Sequence, residues 1–321
     1  MRNKVTFQGK EGVWRTLPNG VHIFIPNGSD IDTELSKMTE DDWSSAHNNS
    51  EYATNLLNSV TYVDIQGWYW DNNHRLKPSE FANRVVRRAF EARTYRNPDM
   101  DELVLSGIKN SVSELILNDR GTNWFKCQLG YITGWTKRVQ ISVEGAKAEL
   151  LSALSHEVGH AIDCVDVRYY YSSSFVSPTH NKTMKQLMLE EFPDLEYISD
   201  EVDIIEDART KVAQDDTLSP VAKNMQLLFL RDAQENLVDM VQAVYGDDAA
   251  KNKFGWTPHS KGYFEEDDKN GATELFAELT ESLFCDKDKT FYNVIKQYCP
   301  KTIDVYNEIL EEVKKEWNSK K

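Results

Sequence analysis

The stretch "LSALSHEVGHAIDC", residues 151–164, decides how the rest of the chain is read. It carries two histidines four positions apart, His156 and His160, with Glu157 directly after the first. On a helix over 146–165, Leu151, Leu154, Val158, Ala161, Ile162 and Val165 form one apolar stripe. His156 and His160 fall roughly opposite that stripe, one turn apart, so both imidazoles point at one spot. Glu157 lies ~100° round the helix from His156, beside the same spot. Two imidazoles and an adjacent carboxylate on one turn suit a zinc ion and a general base for its water. Composition alone would yield this pattern in about one such chain in a hundred, so a metal site outweighs coincidence.

The 321 residues are 40% hydrophobic and 28% charged, a globular composition with room for one large domain or two ordinary ones. A formal net charge of −15 repels phosphate and argues against a nucleic-acid partner. No apolar run approaches the ~18 residues of a membrane span, so no membrane partner is expected. The opening "MRNKVTFQGKEG" has basic residues without a following apolar core, so no signal peptide is read there. The expected place of action is a host cytoplasm or a larger particle. Cys127, Cys164, Cys285 and Cys299 are scattered without a Cys-x-x-Cys pair, and are expected as free, mostly buried thiols.

Within residues 1–30, "VWRTLPNGVHIFI" sets a Pro-Asn-Gly turn between two extended runs, predicting a short β-hairpin. This piece resembles a Trp-x-Thr…Gly-x-x-Ile module found in phage head and minor virion proteins. The resemblance implies a phage origin and a virion-docking segment, with phage structural proteins as partners. Residues 31–60 are polar and weakly helical, and "VTYVDIQGWYW" (60–70) reads as a strand. Helices are expected at 78–95 and 101–117, then extended chain at 130–143, where Val139, Ile141 and Val143 alternate. From 145 onward the pattern is helical, with segments at 146–165, 182–214, 219–246, 272–285 and 301–317, broken near Pro193 and Pro220.

A catalytic zinc takes three protein ligands and one open position. None of His22, His47, His74, His180 and His259 follows His160 closely enough to extend the motif, which favours a carboxylate. In "NGATELFAELTESLF" (270–284), Ala272, Leu275, Phe276, Leu279 and Leu283 form an apolar stripe, with Glu274, Glu278 and Glu281 in a parallel acidic row. Periodicity leaves that row open between a solvated face and a ligand source.

"SHEVGHAID" followed by "ATELFAE" resembles the lethal-factor-like zincins, which include the anthrax lethal factor peptidase domain and bacterial Pro–Pro endopeptidases. The likeness covers about 130–166 and 256–286, and Leu275 stands where the family has an aromatic residue. It implies an α+β fold: a zincin-like metallopeptidase domain at 31–321 with a mixed β-sheet, an active-site helix and a helical subdomain. Residues 167–255 would be a helical insertion relative to compact members. The resemblance implies Zn2+ held by His156, His160 and Glu274, with Glu157 as general base and Tyr263 assisting. Glu278 or Asp163 would accept from the outer imidazole nitrogens. A peptide or protein substrate would add as a strand along 138–143, against Val139 and Ile141. The expected activity is a zinc-dependent endopeptidase. The alternative is a phage virion-associated structural or host-interaction protein that keeps the fold.

Overall fold

A computed structural model describes residues 5–7, 10–16, 22–29, 63–66, 70–71, 74–75, 97–118, 123–130, 134–142 and 147–319. The architecture is α+β and helix-dominated. The helix expected at 78–95 and the polar stretch 31–60 lie outside the described residues.

The expected hairpin is present and gains a strand. β1 (Val5–Phe7), β2 (Lys10–Thr16) and β3 (His22–Pro26) form an antiparallel three-stranded sheet in which Trp14 pairs Phe24 and Thr16 pairs His22. The expected strand at 60–70 is divided. β4 (Val63–Gln66) joins a larger sheet, while β5 (Trp70–Asp71) pairs β6 (His74–Arg75). The larger sheet also holds β7 (Glu114–Asn118), β8 (Trp124–Gly130) and β9 (Gly134–Ser142), in the order β4-β7-β9-β8. β4, β7 and β9 are parallel, and β8 runs antiparallel on β9 as the outer strand among the described residues.

Two expectations change here. The helix expected over 101–117 is α1 (Pro98–Ser111), and its last residues belong instead to β7. Asn97 caps the helix by accepting from the Met100 amide, and Pro98 sits at its first position, where a missing N–H costs nothing. Beyond Val112 the sheet takes over: Leu115 pairs Val139 and Leu117 pairs Ile141, and this long-range pairing overrides local helix propensity. Second, β9 is not an edge. It is bonded by β7 on one side and β8 on the other, and Val139 and Ile141 are both fully buried. They are core residues, so a substrate strand has no access to them.

The site helix is α2 (Lys147–Asp163), close to the expected limits. Leu154, Val158, Ala161 and Ile162 of its stripe are buried, whereas Val165 lies past the helix end and is 38% exposed. Lys137 on β9 reaches the helix C-terminus and donates to the carbonyls of Ala161 (3.1 Å) and Cys164, groups that a helix end leaves open. After α3 (Tyr171–Ser174), the stretch expected at 182–214 is interrupted at Pro193, giving α4 (Met184–Glu191) and α5 (Leu195–Gln214). α6 (Pro220–Tyr245) matches its expectation; Ser219 caps it and Leu237, Val238, Met240 and Val241 enter the core. The inner part of 167–255 is thus built into the hydrophobic core.

α7 (Asp247–Phe254) and α8 (Tyr263–Glu266) come next, then α9 (Asn270–Cys285), α10 (Thr290–Tyr298) and α11 (Pro300–Ser319). α7, α8 and α10 are short elements that periodicity did not resolve. Every residue of α9 from Gly271 to Cys285 is buried, because α2, α6 and α10 each pack against it. On another face, Phe276 meets Tyr306 of α11 with ring centroids 4.9 Å apart. Cys164, Cys285 and Cys299 are buried free thiols, and Cys127 is partly exposed.

Candidate metal centre

α2 and α9 cross at a glycine. A methyl group at Gly159 would lie 2.8 Å from Ala277 Cα and 3.3 Å from its carbonyl oxygen. The hydrogen at 159 permits this approach to Ala277, which sets His160 and His156 of one helix beside Glu274 of the other. Glu274 Oε2 lies 3.2 Å from His156 Nε2 and 3.3 Å from His160 Nε2. The three donor atoms are all within 4.8 Å of one another. Glu274 is 2% exposed, and its Oε2 has no hydrogen-bond partner in the structure. A buried carboxylate oxygen set between two imidazole nitrogens, close to both yet without a well-aligned hydrogen bond to either, is an arrangement that a metal ion satisfies. Two imidazoles and one carboxylate are a donor set suited to zinc.

The acidic row of α9 is therefore not a solvated face. Glu274, Glu278 and Glu281 are buried, each turned toward a different partner. Glu281 Oε2 stands 3.2 Å from His156 Nδ1, and its other oxygen accepts from the Ser152 hydroxyl. It holds the outer nitrogen of one candidate ligand, the role that sequence reasoning gave to Glu278 or Asp163. Glu278 instead packs against Asp239 of α6. Asp163 accepts from the Ser172 amide (2.7 Å) and hydroxyl (2.6 Å), tying α2 to α3.

These placements carry two tests. Glu281→Gln should weaken zinc binding by about 10–100-fold, as lost outer partners of ligating histidines generally do. Competition with a chromogenic chelator reads this directly; an unchanged affinity would return the supporting role to another group. The second test concerns Asp163, whose carboxyl is pushed up to about 7 by burial, against the lowering effect of its Ser172 bonds. The fold favours its protonated form, so its contribution to stability is complete below about pH 4 and is lost as pH rises through about 7. An asparagine there has no charge to bury, and its amide can accept from the Ser172 amide and donate to the hydroxyl. Asp163→Asn should gain stability relative to wild type between pH 5 and pH 8, measured by urea unfolding at both ends. A constant difference across that range would refute it.

Glu157 is 7% exposed and lines the same cleft as His156, with His156 and His160 among its charged neighbours. Burial raises its carboxyl above the ordinary value, partly countered by His156 and His160. Tyr263 is brought back to the site: its hydroxyl donates to Glu274 Oε1 at 2.5 Å, and its carbonyl accepts from Asn270 at the start of α9 (2.8 Å). The eleven-residue separation of Tyr263 and Glu274 is thus taken up by α8, a tight turn and the first turn of α9.

Three participants were not singled out from sequence: Asp239, His259 and Glu281 as a histidine partner. His259 stacks on Tyr263 at 4.1 Å, with its Nε2 3.3 Å from Asp239 Oδ2. No spacing rule marks it, because it sits on a loop anchored from a distant helix. Gln242 of α6 accepts from the His259 amide and donates to its carbonyl, each at 3.2 Å. Together α2, α6, α9 and this loop enclose a cleft of about 540 Å³ lined by His156, Glu157, Asp239 and His259. Phe125 of β8 stacks against His160 (6.1 Å, 20°), placing the outer strand of the sheet next to the candidate ligands.

Comparisons with known protein families, with curated proteins and with solved structures find no match. The functional reading therefore stands on the geometry and on the sequence motifs. No described helix is long and apolar enough to cross a membrane.

Proposed function

We propose that this chain is a zinc-dependent endopeptidase whose catalytic domain is a zincin of the lethal-factor-like kind. The observation that carries the proposal is the convergence of His156, His160 and Glu274 from two crossing helices, with Glu157 beside them. A zinc ion held by these three would supply Lewis acidity, which acidifies a water and polarises a carbonyl.

The chain's own groups supply the remainder. Glu157 takes a proton from the attacking water on a carboxylate oxygen and passes it to the leaving amine. Its burial favours that exchange by bringing the carboxyl closer to neutrality. Glu281 fixes the tautomer of His156 through Nδ1. The Tyr263 hydroxyl, which donates to Glu274 Oε1, would turn to a developing oxyanion. With β9 enclosed, the peptide is assigned to the side of β8 that no described strand pairs, where it would add as a strand above His160. The N-terminal sheet, with its phage-module resemblance, supports a docking role compatible with catalysis.

A peptide-library digest comparing wild type with Glu157→Gln tests the proposal. Cleavage by the zinc-loaded wild type, absent from the variant, is expected. A zinc-loaded wild type that cleaves nothing, yet associates with virion proteins, would favour the structural alternative.

A further inference from the structure

Glu274 faces a third imidazole. His259 Nε2 lies 3.8 Å from Glu274 Oε2 and 3.3 Å from Asp239 Oδ2, and donor atoms of Asp239, His259 and Glu274 all lie within 4.8 Å of one another. Glu278, one helical turn after Glu274, packs against Asp239. Both Glu278 and Asp239 are almost wholly buried; burial and the neighbouring Asp239 hold the Glu278 carboxyl well above the usual carboxylate range, so that it shares a proton with Asp239, while Glu278 Oε2 and Asp239 Oδ1 find no further hydrogen-bond partner. Burying a carboxylate oxygen without a partner is strongly unfavourable. An imidazolium at His259 brings one positive charge to the two carboxylates it faces, Asp239 and Glu274. A divalent cation brings two and takes oxygen lone pairs directly.

The donors are also held in place. His259 is clamped through its backbone by Gln242 and through its ring by Tyr263, and Asp239 projects from the buried face of α6. Fixed side chains with open valences are what a metal site needs in advance of binding.

We propose that Asp239, His259 and Glu274, with Glu278 beside them, hold a second divalent cation, so that Glu274 bridges two ions. This rests on the zinc reading above, since Glu274 is shared. One imidazole among carboxylates is a harder donor set than the first site, and it suits Mn2+ as well as Zn2+. A carboxylate-bridged pair of ions lies ~3.5–4 Å apart in two-metal sites generally, close enough for their electron spins to interact.

The test uses the full chain, stripped with chelator, reloaded separately with Zn2+ and with Mn2+, and desalted before the ions are counted. Two ions per chain are expected for wild type and one for Asp239→Asn, with the remaining ion bound as before. In the Mn2+-loaded protein, electron paramagnetic resonance should show a coupled pair, replaced by an isolated-ion signal in the variant. Should Asp239→Asn fail to fold, His259→Gln carries the same expectation. A single ion in wild type overturns this inference and leaves the zinc reading standing. No bound ion overturns both. Two ions retained in a folded Asp239→Asn or His259→Gln protein would remove these residues from the site.

Discussion

Glu157→Gln is expected to bind zinc with wild-type stoichiometry and to cleave peptide about 10²–10⁴-fold more slowly, the range that loss of a general base produces. The substitution keeps the shape of the side chain and removes only its capacity to carry a proton. His156, His160 and Glu274 are untouched, so metal content and thermal unfolding should stay near wild type. The effect should fall on kcat more than on KM, because proton transfer occurs in the transition state. The measurement is a steady-state assay on a peptide selected from the library digest, with metal counted on the same preparation. Undiminished cleavage in a pure, zinc-loaded variant would remove Glu157 from the mechanism.

Gly159→Ala is expected to damage both the fold and the site. In an exposed helix the change would add about 1 kcal/mol of stability through helix propensity. Here the new methyl would meet the Ala277 backbone at 2.8 Å, and backbone cannot swing aside as a side-chain tip can. The helices must separate, at an overpacking cost of about 1–3 kcal/mol or more. That separation moves Glu274 away from the histidines, so zinc affinity should fall by at least about tenfold, as displaced donors lose coordination geometry. Gly107→Ala is the control. Its methyl would press first on side chains, Ile162 at 2.7 Å and Val158 at 3.1 Å, and not on backbone. It should lose some stability while zinc affinity holds. Unfolding curves and chelator competition on the two variants separate the cases, and equal loss of affinity in both would deny the Gly159 crossing its special role.

Sequence made the site helix legible because its stripe and its histidine pair share one period. Leu154, Val158 and Ile162 sit at the spacing that buries them, and His156 and His160 at the spacing that unites them. α9 was legible as a helix, but its acidic row was not legible as buried. Periodicity places residues on a face without saying what covers that face, and α2 and α6 cover this one. The role of β9 was misjudged for a related reason. An alternating run shows that a strand exists, whereas edge or centre depends on the neighbour it pairs with, and the alternation of β8 itself (Phe125, Cys127 and Leu129 against Lys126 and Gln128) was not read as a strand. His259 and Asp239 were beyond sequence reasoning, since a loop histidine clamped by Gln242 leaves no local pattern. The 78–95 helix lies outside the described residues.

The division of the donor atoms between α2 and α9 has a bearing on synthesis. His156 and His160 leave the ribosome more than a hundred residues before Glu274, and α11, which supports α9 through Tyr306, comes later still. On the zinc reading, a partly made chain lacks its third donor and the packing that holds it. Proteolytic capacity would then arise only after α9 and α11 have both been made, sparing the nascent chain and its neighbours on the polysome from an enzyme whose third donor is still missing.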